Sequence, residues 1–178
     1  MKSEVRSPKS EVQNAPRLAV VALGSNLGDS RAIIRDAMKR LRSLGGRAFR
    51  QSSLWQSTPV DCPPGSPPFI NAALAFESVI GETPESLLAK LQALEKEFGR
   101  QAKAAHNEPR TLDLDLIAFG AEVRSTPQLT LPHPRAHLRR FVLEPLNEIA
   151  PDLLLPGQAR SIRQLLANLR TGEVVRRL

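Results

Sequence analysis

Residues 109–117 read Pro-Arg-Thr-Leu-Asp-Leu-Asp-Leu-Ile, with leucine alternating strictly with acid across the middle. Side chains along a strand point to opposite faces in turn. This period of two therefore predicts a β-strand over 111–119, with Leu112, Leu114 and Leu116 buried and Thr111, Asp113 and Asp115 on the other face. The chain must build a sheet that covers the leucines and leaves two carboxylates side by side. Like charges at that separation raise each other's pKa, and a site holding both ionised calls for a cation. Hard oxygen ligands of this kind suit magnesium bridging phosphates. Two solvated acids on an exposed strand face remain the plain alternative.

The rest of the chain supplies elements for such a sheet. Residues 18–23 are a short apolar run ending at Gly24, read as a buried strand. After the turn Gly24-Ser25-Asn26-Leu27-Gly28-Asp29, residues Ile33, Ile34, Ala37, Met38, Leu41 and Leu44 recur at helical spacing. Asp29 or Ser30 is the N-cap and Gly45-Gly46 the terminator. A second strand is expected over 47–57 and a third over 69–78, joined by a loop dense in proline. Thr83-Pro84-Glu85-Ser86 opens a helix with a capping hydroxyl, Pro at the first helical position and an early acid. Its stripe is Leu87, Leu88, Leu91, Leu94 and Phe98, and Gly99 ends it. A basic loop, 100–110, leads into the acidic strand. A short strand at 129–131, a helix over 141–149 around Pro145 and a capped helix over 161–169 complete the chain. Strand, helix, strand, strand, helix, strand predicts an α+β, ferredoxin-like βαββαβ sandwich. Its sheet is mostly antiparallel, with helices on one face and additional C-terminal helices. Residues 1–17 are expected to be a flexible polar extension, and 18–178 one domain.

Composition narrows the partners. Twenty-five Lys and Arg against 18 Asp and Glu give a net charge of +7, which favours anionic ligands, although excess arginine can also merely solubilise a surface. With six Phe, one Trp and no Tyr, there is little material for an aromatic platform on single-stranded nucleic acid. A compact phosphate-bearing ligand is the more economical reading. The apolar runs fall far short of the roughly 20 residues that span a bilayer, and the N-terminus lacks the apolar core of a secretory signal. The single cysteine, Cys62, permits no internal disulfide and fits a reducing compartment, so a cytoplasmic location is expected.

Several side chains could serve a phosphate site. Arg100, Lys103, His106 and Arg110 precede the acidic strand and place cations beside it; Lys103 is read as solvated. The glycines of 24–29 suit turn geometry and helix capping, because that turn lacks the Lys and the spacing of a Walker motif. His133 sits between Pro132 and Pro134, a constrained backbone that suits a fixed contact. Phe69 and Phe141 are core residues or the two faces of a slot for a flat ligand. Cys62 is read as an inert loop thiol.

Four segments together resemble the 6-hydroxymethyl-7,8-dihydropterin pyrophosphokinase family of folate biosynthesis: Ala-Leu-Gly-Ser-Asn-Leu-Gly-Asp at 22–29, Phe-Ile-Asn-Ala-Ala at 69–73, Pro-Arg-Thr-Leu-Asp-Leu-Asp at 109–115 and Leu-Pro-His-Pro at 131–134. They fall in the family's order. The resemblance implies transfer of the terminal diphosphate of ATP to the pterin hydroxymethyl oxygen, with release of AMP. It implies two magnesium ions held by Asp113 and Asp115, and a catalytic set of Arg100, Arg110, Asp113 and Asp115. The ATP side would comprise Gln92, Glu95, Arg100, Arg110, Thr130, His133 and Arg139. Phe69 and Phe141 would sandwich the pterin, with Asn71, Ser57, Thr58, Val60 and Asp113 beside it. Neither nucleic acid nor membrane is expected as a partner, and a monomer is. Where many relatives show Arg-x-Arg and a later Arg-Trp-Gly-Pro-Arg, this chain has Arg100-Gln101-Ala102 and His106-Asn107-Glu108-Pro109-Arg110, and Pro134 replaces an aromatic. Two other readings compete: a catalytically degenerate relative that binds pterin or nucleotide, and an RNA-binding ferredoxin-like module. Asp113 and Asp115 would repel RNA from the sheet face such a module uses.

Overall fold

A computed structural model describes residues 15–59, 62, 64–100 and 109–178. Strand β1 (Leu18–Ser25) is central, antiparallel to both β4 (Phe69–Glu77) and β5 (Asp113–Phe119). Helix α1 (Ser30–Leu44) follows β1 and α2 (Pro84–Glu97) follows β4. The main sheet runs β5-β1-β4-β3-β8, where β3 is Trp55–Ser57 and β8 is Val175–Arg177, and β2 (Arg50–Gln51) also pairs with β4. This is the expected antiparallel βαββαβ sandwich.

The two sheet faces are covered differently, and that difference makes the site. One face packs Val21, Leu23, Leu74, Phe76, Leu114 and Leu116 against Ile34, Leu41, Leu87 and Leu91 of α1 and α2. The additional helices α3 (Arg140–Ile149) and α4 (Ile162–Asn168) lie on the opposite face, over Val20, Ala73, Ile117 and Ala118. They cover only one end of it. The sequence records this boundary: β5 alternates through Asp113-Leu114-Asp115-Leu116 where its second face is open, then becomes continuously apolar through 116–119 where both faces are covered. A bulge between Val20 and Val21 in the β1–β5 register, pairing Val21 with Leu116 and Val20 with Ala118, lets Ile117 and Ala118 both join the second cluster.

Most element boundaries match the expectations. Asp29 caps α1 by accepting from the Ala32 N–H, Thr83 and Ser86 form a reciprocal capping box on α2, and Ser161 caps α4. The expected strand over 47–57 is instead two short strands. Between them the Ser52 N–H donates to the Ala73 carbonyl while its hydroxyl accepts the Ala73 N–H, both at 2.9 Å, so a side chain replaces a main-chain acceptor and interrupts the ladder. The expected strand at 111–119 begins at Asp113, which leaves Thr111 in the approach to it. Residues 129–131 contribute β7 (Thr130–Leu131), which forms a separate hairpin with β6 (Arg124–Ser125). Arg17, assigned to a flexible extension, is anchored: its N–H donates to Ser78, and its guanidinium pairs with Glu122 and lies 4.7 Å from the centre of the Phe119 ring. The rest of that extension up to residue 14, together with Val60, Ala102, Lys103, His106 and Asn107, lies outside the described residues.

Candidate active site

The uncovered end of the second sheet face is the floor of a cleft of about 510 Å³. Two cross-strand rows pave it. Asp113 pairs with Gly24, which pairs with Asn71; one step along, Asp115 pairs with Ala22, beyond which Ala73 is already covered by the C-terminal helices. Small residues in the central strand leave a shallow trough between the carboxylates and the amide. A Cβ added at Gly24 would meet Asn71 Oδ1 at 3.6 Å and Phe69 at 3.9 Å, ordinary contact distances, so the protein itself has room for a side chain there. The space it would fill belongs to the cleft. Gly24 therefore does more than shape a turn, the role its sequence context suggests; Gly28, with φ +76°, takes that role.

At one end of the trough the amide of Asn71 is aimed by a bond from its Nδ2 to Ser57 Oγ at 2.8 Å; both residues are buried. This leaves the Asn71 carbonyl oxygen and one N–H for a ligand edge. Phe69, at the start of β4, and Phe141, in the first turn of α3, are half-buried and flank this end with Thr58. Cys62 lines the same wall, so the loop thiol is part of the cleft.

The other end is densely charged. Asp113 takes two arginines at once: Arg110 Nη1 reaches Oδ2 at 2.8 Å and Arg100 Nη1 reaches Oδ1 at 3.2 Å. Arg100 also pairs with Glu95, whose Oε1 accepts the Leu114 N–H at 2.7 Å. Burial pushes the Glu95 carboxyl up from the usual range. Arg110 is set by Asn26 in the β1–α1 turn: the Asn26 N–H donates to the Arg110 carbonyl at 3.0 Å, and Asn26 Oδ1 accepts the Arg110 N–H at 2.8 Å. Asp115 has only Arg139 as an ion-pair partner among the described residues, at 4.0 Å. Its carboxyl is raised by partial removal from water and then by the Asp113 charge. Burial lowers the His133 imidazole, with Asp115 opposing, so it is neutral at pH 7. Its Nδ1 accepts the Arg135 N–H at 3.3 Å, which leaves Nε2–H to donate into the cleft.

Most of the residues singled out from the sequence converge here. Ser57, Thr58, Phe69, Asn71, Gln92, Glu95, Arg100, Arg110, Asp113, Asp115, His133, Arg139 and Phe141 all line the one cleft. Thr130 is exposed on β7 and is not among the lining residues. Sequence reasoning missed Gly24, Asn26, Arg135 and Glu173. Glu173 arrives on the approach to β8, where its Oε2 accepts the Phe141 N–H at 3.2 Å and so supplies the cap that the N-terminus of α3 lacks. A strand as short and basic as Val-Arg-Arg carries no periodic signal that would have foretold it.

The sequence profile of the 7,8-dihydro-6-hydroxymethylpterin-pyrophosphokinase (HPPK) family matches residues 20–151. The chain belongs to this family. It is 41% identical over 150 residues to the Pseudomonas aeruginosa 2-amino-4-hydroxy-6-hydroxymethyldihydropteridine pyrophosphokinase, covering 83% of this chain and 88% of that one. The Haemophilus influenzae protein of the same name is 39% identical over 140 residues, covering 78% and 85%. A folic acid synthesis protein of Pneumocystis carinii is 36% identical over 154 residues, of which this chain spans 86% of its own length but 20% of the fungal protein. Among solved structures, wild-type Plasmodium falciparum HPPK-DHPS with pteroate superposes with a TM-score of 0.67 at 15% identity, over 86% of this chain and 42% of that one. That likeness establishes the HPPK domain fold. Among the described residues, no helix is long and apolar enough to cross a membrane.

Proposed function

We propose that this chain transfers the terminal diphosphate of ATP to the hydroxymethyl oxygen of 6-hydroxymethyl-7,8-dihydropterin and releases AMP. The observation that carries the reading is the union, in one trough, of a slot for a flat polar ring with a charged end suited to polyphosphate. Asn71 would read the pterin edge between Phe69 and Phe141, beside Ser57, Thr58 and Val60. Gln92, Glu95, Arg100, Arg110, Thr130, His133 and Arg139 would serve the nucleotide. The hydroxymethyl oxygen forms a bond to the β-phosphorus and gives up its proton to solvent as the bond from that phosphorus to the α,β-bridging oxygen breaks, so the leaving group is AMP. Such displacements depend on alignment and charge stabilisation more than on a covalent nucleophile. Arg100 and Arg110, held by Glu95, Asp113 and Asn26, are pre-set to meet phosphate oxygens at fixed positions.

The donor set fits magnesium. Asp113 and Asp115 share one strand face, and Asp115 is an under-neutralised carboxylate. Among the described residues no group of three or more His, Cys, Asp or Glu could enclose a metal. An ion here would complete its shell from phosphate and water, as magnesium does in nucleotide sites. Asp113 and Asp115 would hold two such ions with the phosphates. When bound, magnesium neutralises phosphate charge and polarises the phosphoryl group.

Incubation with ATP, magnesium and the reduced hydroxymethylpterin, followed by separation of nucleotides, tests the reaction. AMP formed in step with pterin consumption is expected. ADP would mean a single-phosphoryl transfer. Tight binding of both substrates without AMP would favour a degenerate binding protein.

A further inference from the structure

The cleft wall carries four arginines, Arg100, Arg110, Arg135 and Arg139, and they are not equivalent. Arg100 and Arg110 are committed to Glu95 and Asp113, and Arg139 faces Asp115 at 4.0 Å with its guanidinium 5.5 Å from the Phe141 ring centre. Arg135 has no carboxylate partner among the described residues. Its side chain is exposed at the cleft, but its backbone is fixed: its N–H donates to His133, its carbonyl accepts the Leu138 N–H at 3.1 Å, and the adjacent Ala136 is fully buried. The charge is thus carried by a rigid support.

Its neighbours register that charge. Arg135, His133 and Arg139 all line the cleft, and after burial the Arg135 charge further disfavours the protonated forms of the other two, with Asp115 opposing and, for Arg139, Asp113 and Glu173 as well. Two guanidiniums held on one wall repel each other, and an anion placed between them relieves that repulsion. The local demand is for an anion carrying several charges.

Building on the nucleotide site proposed above, we infer that Arg135 is a phosphate-binding residue of this cleft, gripping the oligophosphate from the Asp115 side with His133 and Arg139, while Arg100 and Arg110 stand at Asp113. Its commitment differs from theirs in kind. Arg100 and Arg110 meet the ligand with much of their charge already balanced by protein carboxylates, whereas Arg135 brings a charge that no carboxylate among the described residues pairs. It should therefore contribute heavily to affinity and to its salt dependence.

The test is calorimetric titration of Arg135→Ala, Arg135→Lys and the unaltered protein with magnesium tripolyphosphate, magnesium-ATP and the pterin. Arg31→Ala, an exposed arginine on α1 that does not line the cleft, controls for net charge. Arg135→Ala should weaken tripolyphosphate and ATP binding about tenfold, the scale of a hydrogen bond to a charged group. Lys should recover part of the loss, and pterin affinity and melting temperature should stay unchanged. Undiminished tripolyphosphate affinity in Arg135→Ala, no binding by the unaltered protein, or an equal loss in Arg31→Ala overturns the assignment. AMP production by the unaltered protein is read in parallel. Its absence overturns the reaction itself, whereas failure at Arg135 alone leaves AMP production intact, so the two failures are distinct.

Discussion

Glu95 is buried with 3% of its side chain exposed, and it ties the edge of the sheet to the charged end of the cleft. β5 lies at the sheet edge, with β1 as its neighbour, so the Leu114 N–H that faces away from β1 finds its acceptor in Glu95 Oε1. Changing Glu95 to Ala strands that N–H, at about 1–3 kcal/mol for an unsatisfied buried donor. It also opens a void, while removing a carboxylate whose burial is itself unfavourable. The net expectation is a loss of about 2 kcal/mol, or about 4–8 °C in melting temperature for a chain of this size. Glu95→Gln keeps an oxygen for Leu114 and discards the buried charge, so it should stay within about 1 kcal/mol of the unaltered protein at pH 7. The pH dependence has a definite sign. Because burial raises the folded-state pKa of Glu95, the folded form holds its proton more tightly than the unfolded chain. The carboxyl's contribution is favourable below its ordinary pKa and is lost as pH rises through the folded value. The Gln variant should therefore gain on the unaltered protein as pH climbs from the usual carboxylate range toward neutrality. Urea unfolding of all three proteins, with equal m-values, gives the comparison. Equal losses for Ala and Gln would refute the hydrogen-bond argument, and no loss for Ala would refute the assigned role of the Leu114 contact.

Other expectations follow from the trough. Asn71→Ala should weaken pterin binding by about 1–3 kcal/mol through an unpaired ligand edge, with ATP affinity little changed; calorimetry showing equal losses for both ligands would assign Asn71 a structural role. Gly24→Ala should fold with near-normal stability, because the nearest side chains to a new Cβ stand at 3.6 and 3.9 Å, yet raise the pterin KM by intruding on the trough. An unchanged KM would remove Gly24 from the floor. Asp115→Ala should nearly abolish turnover without unfolding the protein. Since burial and Asp113 raise the Asp115 pKa, that variant should also gain relative stability as pH rises through the folded-state value, which urea unfolding at acidic and neutral pH would register.

The acidic strand was legible because its alternation has one geometric solution, and the helix caps because Asp29, Thr83 and Ser161 satisfy local backbone donors. Asn71 and the pterin-facing roles of Phe69, Asp113 and Phe141 came from the family resemblance, and sequence physics alone left the two phenylalanines between core and slot. What stayed hidden was long-range. Asn26 fixes Arg110 across 84 residues of chain, and Glu173 caps the helix bearing Phe141 from 32 residues downstream. Neither partner carries a local pattern. The Ser52 interruption was equally silent, because a hydroxyl that takes a carbonyl's place in the ladder looks like any serine in a strand. Arg135 was passed over for a different reason: an exposed arginine is unremarkable until its neighbours, and the lack of a carboxylate partner among the described residues, are seen together.

The central claim is that one cleft moves a diphosphate intact from ATP to the pterin. Phosphorus NMR of the complete reaction tests this directly, by following ATP, magnesium and the reduced hydroxymethylpterin as they are consumed. The account predicts that the three ATP resonances give way to the single resonance of AMP and a coupled pair from a pterin diphosphate. Appearance of the coupled pair of ADP beside a lone pterin monophosphate resonance would contradict it.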